Sequence, residues 1–254
     1  GEKYMDLISG IGVSNIGHRH PNVLAAIHDQ LDKYLHLMVY GEYVQQPQTL
    51  LAQALVNTLP DSLNNVYLVN SGSEAIEGAL KLAKRFNNRR EIISCVDAYH
   101  GSSHGALSVG GNELFKRAYR PLLPGIRNIT YGEIEQLELI TTDTSAIILE
   151  TIQGEAGVRI ADKEYFMALR EKCNQTGTLL IMDEVQTGFG RTGKFWAFEH
   201  FNIVPDIVVC AKGMGGGMPI GAFVTSKKIM DVFKENPLLG HITTFGGHPV
   251  SAAA

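Results

Sequence analysis

The sequence predicts an α/β fold with a mainly parallel central sheet and helices on both of its faces. Short, nearly continuous apolar runs alternate with amphipathic segments through most of the 254 residues. The apolar runs lack the alternation of a half-exposed strand, which indicates burial on both faces and therefore mainly parallel pairing.

The apolar runs predict strands at 66–69, 92–96, 146–149, 178–182, 207–210 and 221–224. Helices predicted at 21–35 and 47–58 each place aliphatic residues on one face and have proline in the first turn. A third helix begins after Ser71, with Glu74 three residues later, which is the spacing of a capping box.

Composition excludes several classes of protein. A net charge of -4 leaves no basic excess for nucleic-acid binding, and no apolar run approaches the ~18 residues of a membrane span. Cys95, Cys173 and Cys210 are odd in number and too few for a disulfide framework, which suits a reducing compartment. We therefore expect a cytoplasmic protein with neither nucleic-acid nor membrane partners.

The two ends of the sequence predict a fragment. The chain has no initiator methionine, and it stops at Ser-Ala-Ala-Ala just after Pro249, where a helix is beginning. Motifs that are missing from this sequence therefore carry little weight.

Ligands of open α/β sheets bind beyond the carboxyl ends of the strands, so the residues after each apolar run are the informative ones. Ser71, Gly72 and Ser73 form a small-residue turn into a helix whose free N–H groups would receive a phosphate, although many plain turns look the same. Tyr99 and His100 follow the second run, where either ring could stack on a flat ligand at the rim or simply pack.

An acid and a lysine follow two further buried runs. Asp183 comes directly after 178–182 and needs a cationic or hydrogen-bonding partner if it is buried. Lys212 follows 207–210 among glycines, where an enclosed lysine has a lowered pKa and can form an imine with a carbonyl group. Glu150 and Glu155 follow the third run, where the simplest interpretation is a pair of solvated loop acids.

Pyridoxal phosphate requires this combination of groups: an amine for its aldehyde, a carboxylate for its ring nitrogen, an anion site and a stacking ring. Other motifs are weaker. The stretch 188–193 matches a dinucleotide-binding pattern but is separated from its strand, and Phe195 stands where a phosphate-binding loop needs Ser or Thr. His100 and His104 have zinc-ligand spacing, but glycine and serine between them argue against a helix, so no metal is expected.

Order and spacing of these motifs resemble the class III (omega-amino acid) aminotransferases, which include ornithine, acetylornithine and 4-aminobutyrate aminotransferases. The resemblance covers nearly the whole chain. It rests on the motifs at 17–21, 71–75, 99–101, 153–157, 183–193, 211–213 and 244–249. His248 stands where many members have Asn.

The resemblance implies roles for the matching residues. Lys212 would carry the cofactor as a Schiff base and move the substrate's proton, Asp183 would pair with the ring nitrogen, and Gln186 would bind the ring oxygen. Tyr99 and Val185 would enclose the ring, and Thr244 would reach the phosphate from the neighbouring subunit of a homodimer. The full set expected to bind the cofactor is Ser71, Gly72, Ser73, Tyr99, His100, Asp183, Val185, Gln186, Lys212 and Thr244.

The resemblance also implies the fold and the reaction. We expect the large domain of a fold type I enzyme at 37–254, incomplete at its C-terminus, after an N-terminal segment at 1–36, with the small domain outside this chain. Glu155 and Tyr40 are the expected substrate-side residues. The expected reaction is transamination with 2-oxoglutarate as the amino-group partner, and the sequence does not select the donor. The alternatives are an epimerase or aminomutase of the same family, or a cofactor-binding module without turnover.

Overall fold

The structure is a computed structural model that describes residues 1–38 and 41–254. A single seven-stranded sheet organises the described chain, with the strand order β1-β7-β6-β5-β4-β2-β3. The strands are β1 (Asn65–Val69), β2 (Glu91–Cys95), β3 (Ile126–Ile129), β4 (Thr144–Glu150), β5 (Leu179–Asp183), β6 (Ile207–Cys210) and β7 (Gly221–Thr225).

Strands β3, β2, β4, β5 and β6 run parallel, whereas β7 is antiparallel to both β6 and β1. The predicted mainly parallel sheet is therefore confirmed. The sequence analysis missed β3, because this edge strand is exposed at its two central residues and lacks a continuous apolar run.

Helices and shorter 3-10 turns connect the strands. The helices are α1 (Ser9–Gly12), α2 (Pro21–Leu31), α3 (Gln46–Val56), α4 (Gly72–Asn87), α5 (His104–Val109), α6 (Glu113–Lys116), α7 (Lys163–Thr176), α8 (Lys227–Met230) and α9 (Pro249–Ala253). Helix α2 ends at Leu31, four residues before its predicted end, and Leu35 is 57% exposed. In the described ranges, no helix combines the length and apolarity that crossing a bilayer requires.

Two apolar cores lie on opposite faces of the sheet. Ile147 and Leu180 belong to one core with residues of α3 and α7, whereas Ile148 and Ile181 belong to the other with residues of α4 and α5. Alternate residues of each strand thus point to opposite cores, which explains the continuous apolar runs. Each fully buried aliphatic or aromatic side chain contributes ~1.5–3 kcal/mol to folding by leaving water.

The order of the strands places a crevice between β2 and β4. From β2 the chain continues outward to β3, whereas from β4 it continues in the opposite direction through β5 and β6. The loops after β2 and β4 therefore diverge at the carboxyl ends of the strands, and such a switch point is where open α/β sheets bind ligands.

Candidate active site

A cavity of about 420 Å³ lies at this switch point. Residues that follow β1, β2, β4, β5 and β6 line it, so the strand ends that the sequence analysis singled out meet in one place. The predicted site residues that line the cavity are Ser71, Gly72, Ser73, Tyr99, His100, Glu155, Asp183, Val185, Gln186 and Lys212.

The N-terminus of α4 forms one side of the cavity. The hydroxyl of Ser71 accepts the Glu74 backbone N–H at 3.2 Å, so Ser71 caps the helix as predicted. The predicted capping box is only half formed, because the Glu74 carboxylate accepts the N–H of Asn70 at 3.0 Å instead of that of Ser71. The first turn of this 16-residue helix therefore presents N–H groups and the positive end of the dipole to the cavity.

Gly101 allows the loop after β2 to approach the first turn of α4. Its φ is +123°, and a Cβ at this position would lie 2.2 Å from the hydroxyl of Ser73. On the cavity side of this loop, Tyr99 is 41% exposed and presents an aromatic ring. The loop thus supplies a face on which a flat group can stack.

The sequence left His100 either stacking at the rim or packing, and its surroundings favour packing. Its side chain is 4% exposed and lies behind Asp183, with Nδ1 2.7 Å from the Asp183 Oδ2. The Nε2 atom of His100 is buried and has no hydrogen-bond partner among the described residues. The apolar run of β2 gave no indication of this contact, because Asp183 belongs to another strand.

Asp183 is the last residue of β5 and is 5% exposed. Besides its contact with His100, its Oδ1 accepts the backbone N–H of Val185 at 3.0 Å. The prediction that a buried Asp183 needs a polar partner is therefore met within the chain.

Lys212 begins a 3-10 turn directly after β6 and has a φ of 46°. A residue other than glycine in this left-handed region is strained, and such strain is concentrated at functional sites. The side chain is half-buried, and this burial lowers the pKa of the Lys212 ammonium, against the opposing effect of Asp183 and other carboxylates. At a given pH, a larger fraction of Lys212 is consequently in the neutral amine form than of a surface lysine.

Gln186 and Glu155 line the outer part of the cavity. The Gln186 Nε2 lies 3.4 Å from the Glu155 Oε1, at the long end of the hydrogen-bond range. Gly154 permits this approach, because a Cβ at Gly154 would lie 2.0 Å from the Gln186 Oε1. Glu155 itself is exposed, as a substrate-side residue would be.

Thr244 is not among the residues that line the cavity. Thr244 is exposed in a segment that follows β7, next to Thr243, whose hydroxyl accepts a hydrogen bond from Asn70 at 2.8 Å. Tyr40 lies outside the described residues.

Glu150 and Asn15 were not predicted as site residues. Glu150 was expected to be a solvated loop acid, but it ends β4, is 7% exposed and lines the cavity. The Asn15 side chain donates to the carbonyl of Phe189 at 2.9 Å and so ties the N-terminal region to the loop after β5. Glu150 aligns with Asp183 across the parallel strands, and this register could have identified it once the strands were paired.

Known proteins match the chain in both sequence and structure. An acetylornithine aminotransferase from Methanopyrus kandleri is 42% identical over 255 residues, which span 100% of this chain and 64% of that protein. A putrescine aminotransferase from Pectobacterium atrosepticum is 44% identical over 266 residues, spanning 100% of this chain and 56% of that protein. An amine transaminase from an uncultivated Pseudomonas species, solved in the PLP-bound form, superimposes with a TM-score of 0.91 at 30% identity, over 98% of this chain and 64% of that one.

The cavity has the groups that pyridoxal phosphate, the cofactor of class-III aminotransferases, requires. It contains an amine whose pKa is lowered by burial, a buried carboxylate held by His100, the N-terminus of a long helix and an aromatic face. The predicted cofactor and the structure therefore agree.

The chain spans between 56% and 64% of the lengths of these relatives. The profile of the family described as aminotransferase class-III matches residues 1–254, and the structural neighbours confirm the predicted fold type I large domain. The chain therefore belongs to the class-III aminotransferase family.

Proposed function

We propose that this protein transfers an amino group from an amine or amino acid to a 2-oxo acid, with Lys212 as the residue that holds the cofactor. The observation that carries this proposal is that a lysine with a lowered pKa and a buried aspartate share one cavity of about 420 Å³. Pyridoxal phosphate supplies, when bound, an aldehyde that takes up the amino group and a protonated ring that withdraws electrons from the reacting bond.

Lys212 has two tasks in this proposal. Its amine would hold the cofactor, and the free Nζ would take a proton from the substrate carbon and later return it. Both tasks need the neutral amine, and burial of Lys212 favours that form by lowering the pKa. The strained backbone at Lys212 also supports a functional role.

Asp183 would hold the proton on the ring nitrogen. Its carboxylate is buried, so its charge is poorly screened and acts strongly on a neighbouring cation. The 2.7 Å contact with His100 and the N–H of Val185 fix the orientation of this carboxylate.

The remaining residues position the cofactor. Backbone N–H groups of Gly72 and Ser73 at the start of α4 would bind its phosphate, with Ser71 as the helix cap. Tyr99 and Val185 would enclose the ring, and the amide of Gln186 would donate to the ring oxygen. His100 acts through Asp183 rather than by stacking.

Thr244 completes the phosphate site from a second copy of the chain. The segment at 237–246, which carries Thr244, has apolar side chains on the surface, with Leu238 73% exposed and Phe245 53% exposed. Since Thr244 does not line the cavity of its own chain, a homodimer that covers this segment supports the role that we assign to it.

The partners that we propose are glutamate and 2-oxoglutarate on one side and an amine or amino acid on the other. We assign Glu155 to the substrate side, because it is an exposed carboxylate that lines the cavity and can pair with a cation. The three free, buried cysteines support a location in a reducing compartment, the cytoplasm.

The experiment that tests this function uses the full-length protein with pyridoxal phosphate, 2-oxoglutarate and a panel of omega-amines and alpha-amino acids. Formation of glutamate with at least one donor, and its loss in Lys212→Ala, supports transamination. Conversion of a donor that keeps its amino group, without glutamate, identifies an epimerase or aminomutase instead. Absence of both reactions contradicts the proposal.

A further inference from the structure

Glu150 is a buried acid that the proposed reaction does not use. It is the last residue of β4, is 7% exposed and aligns with Asp183 in the neighbouring strand. Burying a carboxylate is costly unless several donors satisfy it, so its surroundings indicate what it does.

The two carboxylate oxygens of Glu150 contact two different loops. Oε1 accepts the backbone N–H of Tyr99 at 2.9 Å, and Oε2 accepts the backbone N–H of Gly154 at 3.2 Å. The first loop presents the Tyr99 ring to the cavity, and the second leads directly to Glu155. One side chain thus connects the ring-stacking residue with the substrate-side acid.

Both oxygens face N–H donors, so the ionised carboxylate satisfies both contacts at once. A glutamine, or a protonated Glu150, has an acceptor on one side only and presents hydrogens on the other. Either change therefore weakens one of the two contacts.

Several charged and titratable groups act on Glu150. His100 and Asp183 lie on the loop after β2 and at the end of β5, and Lys212 lies after β6. Cys95 in β2 and Tyr131 after β3 also interact with it. Burial is the main effect and raises the pKa of Glu150 to about 7, so its charge changes within the range in which enzymes work.

We propose that Glu150 is a positioning residue of the cofactor site, whose carboxylate holds the Tyr99 loop and the Gly154 loop in fixed relation to each other. The contacts are a property of the chain alone, whereas their importance for cofactor binding rests on the proposed function. Above pH 7 the ionised side chain holds both loops. The N–H groups of Tyr99 and Gly154 stabilise the ionised side chain and lower the pKa of Glu150, against the larger effect of burial, so protonation as the pH falls through 7 weakens one of these two contacts.

The test compares Glu150→Gln with the wild type in the full-length protein, using hydrogen exchange and cofactor binding at pH 8 and pH 6. At pH 8, we expect the segments that contain Tyr99 and Gly154 to exchange about tenfold faster in the variant after correction for intrinsic rates, since a charge-assisted hydrogen bond is lost. The dissociation constant for pyridoxal phosphate should rise about tenfold at the same pH. At pH 6 both differences should shrink to less than about twofold, because the wild-type side chain is then largely protonated.

Glu184→Gln is the matched control. Glu184 is a second buried carboxylate, at the start of the next loop, and it accepts from the hydroxyl groups of Thr151 and Thr187 and from the N–H groups of Ala197 and Phe198. Its replacement should speed exchange near Ala197 and Phe198 and leave the pH dependence at Tyr99 as in the wild type. If Glu150→Gln does not fold, Glu150→Asp serves instead, because its shorter carboxylate cannot reach both amides.

The proposal would be overturned if the variant and the wild type differed in exchange rate and in dissociation constant by the same factor at pH 8 and at pH 6. A purely structural role of Glu150 predicts such a constant factor. Unchanged exchange at Tyr99 and Gly154 would do so too, as would faster exchange with unaltered cofactor affinity. Failure of the proposed function has a different signature, namely a wild-type protein that binds no pyridoxal phosphate while the exchange difference persists.

Discussion

The carboxyl edge of the sheet and the 237–246 segment differ in how far their side chains are buried and hydrogen-bonded within the chain. At the edge, Glu150 and Asp183 are 7% and 5% exposed, and each has two hydrogen-bond partners within the chain. In the segment, Leu238 and Phe245 are 73% and 53% exposed, and Thr244 is on the surface. One chain therefore builds the reactive half of the site alone, whereas the half that receives Thr244 depends, in our proposal, on a second copy.

The largest effect should come from removing the amine at the edge. Lys212→Ala removes both the attachment point and the proton acceptor, so we expect turnover to fall at least about 10³-fold. Steady-state formation of glutamate measures this loss. Lys163→Ala is the control, since Lys163 is an exposed residue in the first turn of α7, and its replacement should leave turnover unchanged. Comparable turnover of the Lys212→Ala and Lys163→Ala variants would show that Lys212 takes no part in the reaction.

Replacing the acid at the edge should have the next largest effect. Asp183→Asn keeps the shape and an acceptor oxygen but removes the charge that stabilises a protonated ring nitrogen, so proton abstraction should slow by about 10²-fold. Rapid-mixing absorbance of the cofactor separates this step from attachment of the cofactor, which should persist. Normal rates in this variant would contradict the role of Asp183.

Thr244 tests the other side of the comparison. In homodimers of Thr244→Ala, the dissociation constant for pyridoxal phosphate should rise about tenfold, because a hydrogen bond to a charged group is lost. Mixed dimers of Thr244→Ala with Lys212→Ala then distinguish the two possible origins of the hydroxyl. In such a dimer, the subunit that keeps Lys212 lacks Thr244, and its partner keeps Thr244. The site with Lys212 should therefore bind pyridoxal phosphate with wild-type affinity if Thr244 acts from the partner. Weakened affinity at that site would show that Thr244 acts within its own chain.

Tyr99 lines the cavity, is 41% exposed and should give the smallest effect. Tyr99→Leu removes the stacking face, so cofactor binding should weaken by about fivefold, whereas Tyr99→Phe keeps the ring and should cost about twofold or less. Titration of the protein freed of cofactor measures both values. Equal losses in the two variants would mean that the hydroxyl, and not the ring, matters at this position.

The reactive half of the site was largely predictable from sequence, because its residues follow strands that are buried on both faces. Burial of Asp183 and the position of Lys212 after β6 could be inferred from apolar runs alone, and the cavity brings both together. Such runs report burial and strand ends, and the α/β architecture then dictates that these ends meet.

The errors have a common physical cause, which is that local patterns do not reveal partners in other strands. Glu150 follows an apolar run and resembles a loop acid until its register with Asp183 is known. His100 is buried against Asp183, which belongs to another strand, and β3 is an exposed edge strand with little apolar content. Only the tertiary arrangement determines these features.

Chemical trapping on Lys212 tests the central claim most directly. The full-length protein is loaded with pyridoxal phosphate, reduced with borohydride and digested, and the modified lysine is located by mass spectrometry. The account predicts that the cofactor is fixed on Lys212 and that Lys212→Ala retains none at a corresponding site. A label on a different lysine, or a loaded wild-type protein without any label at Lys212, would contradict it.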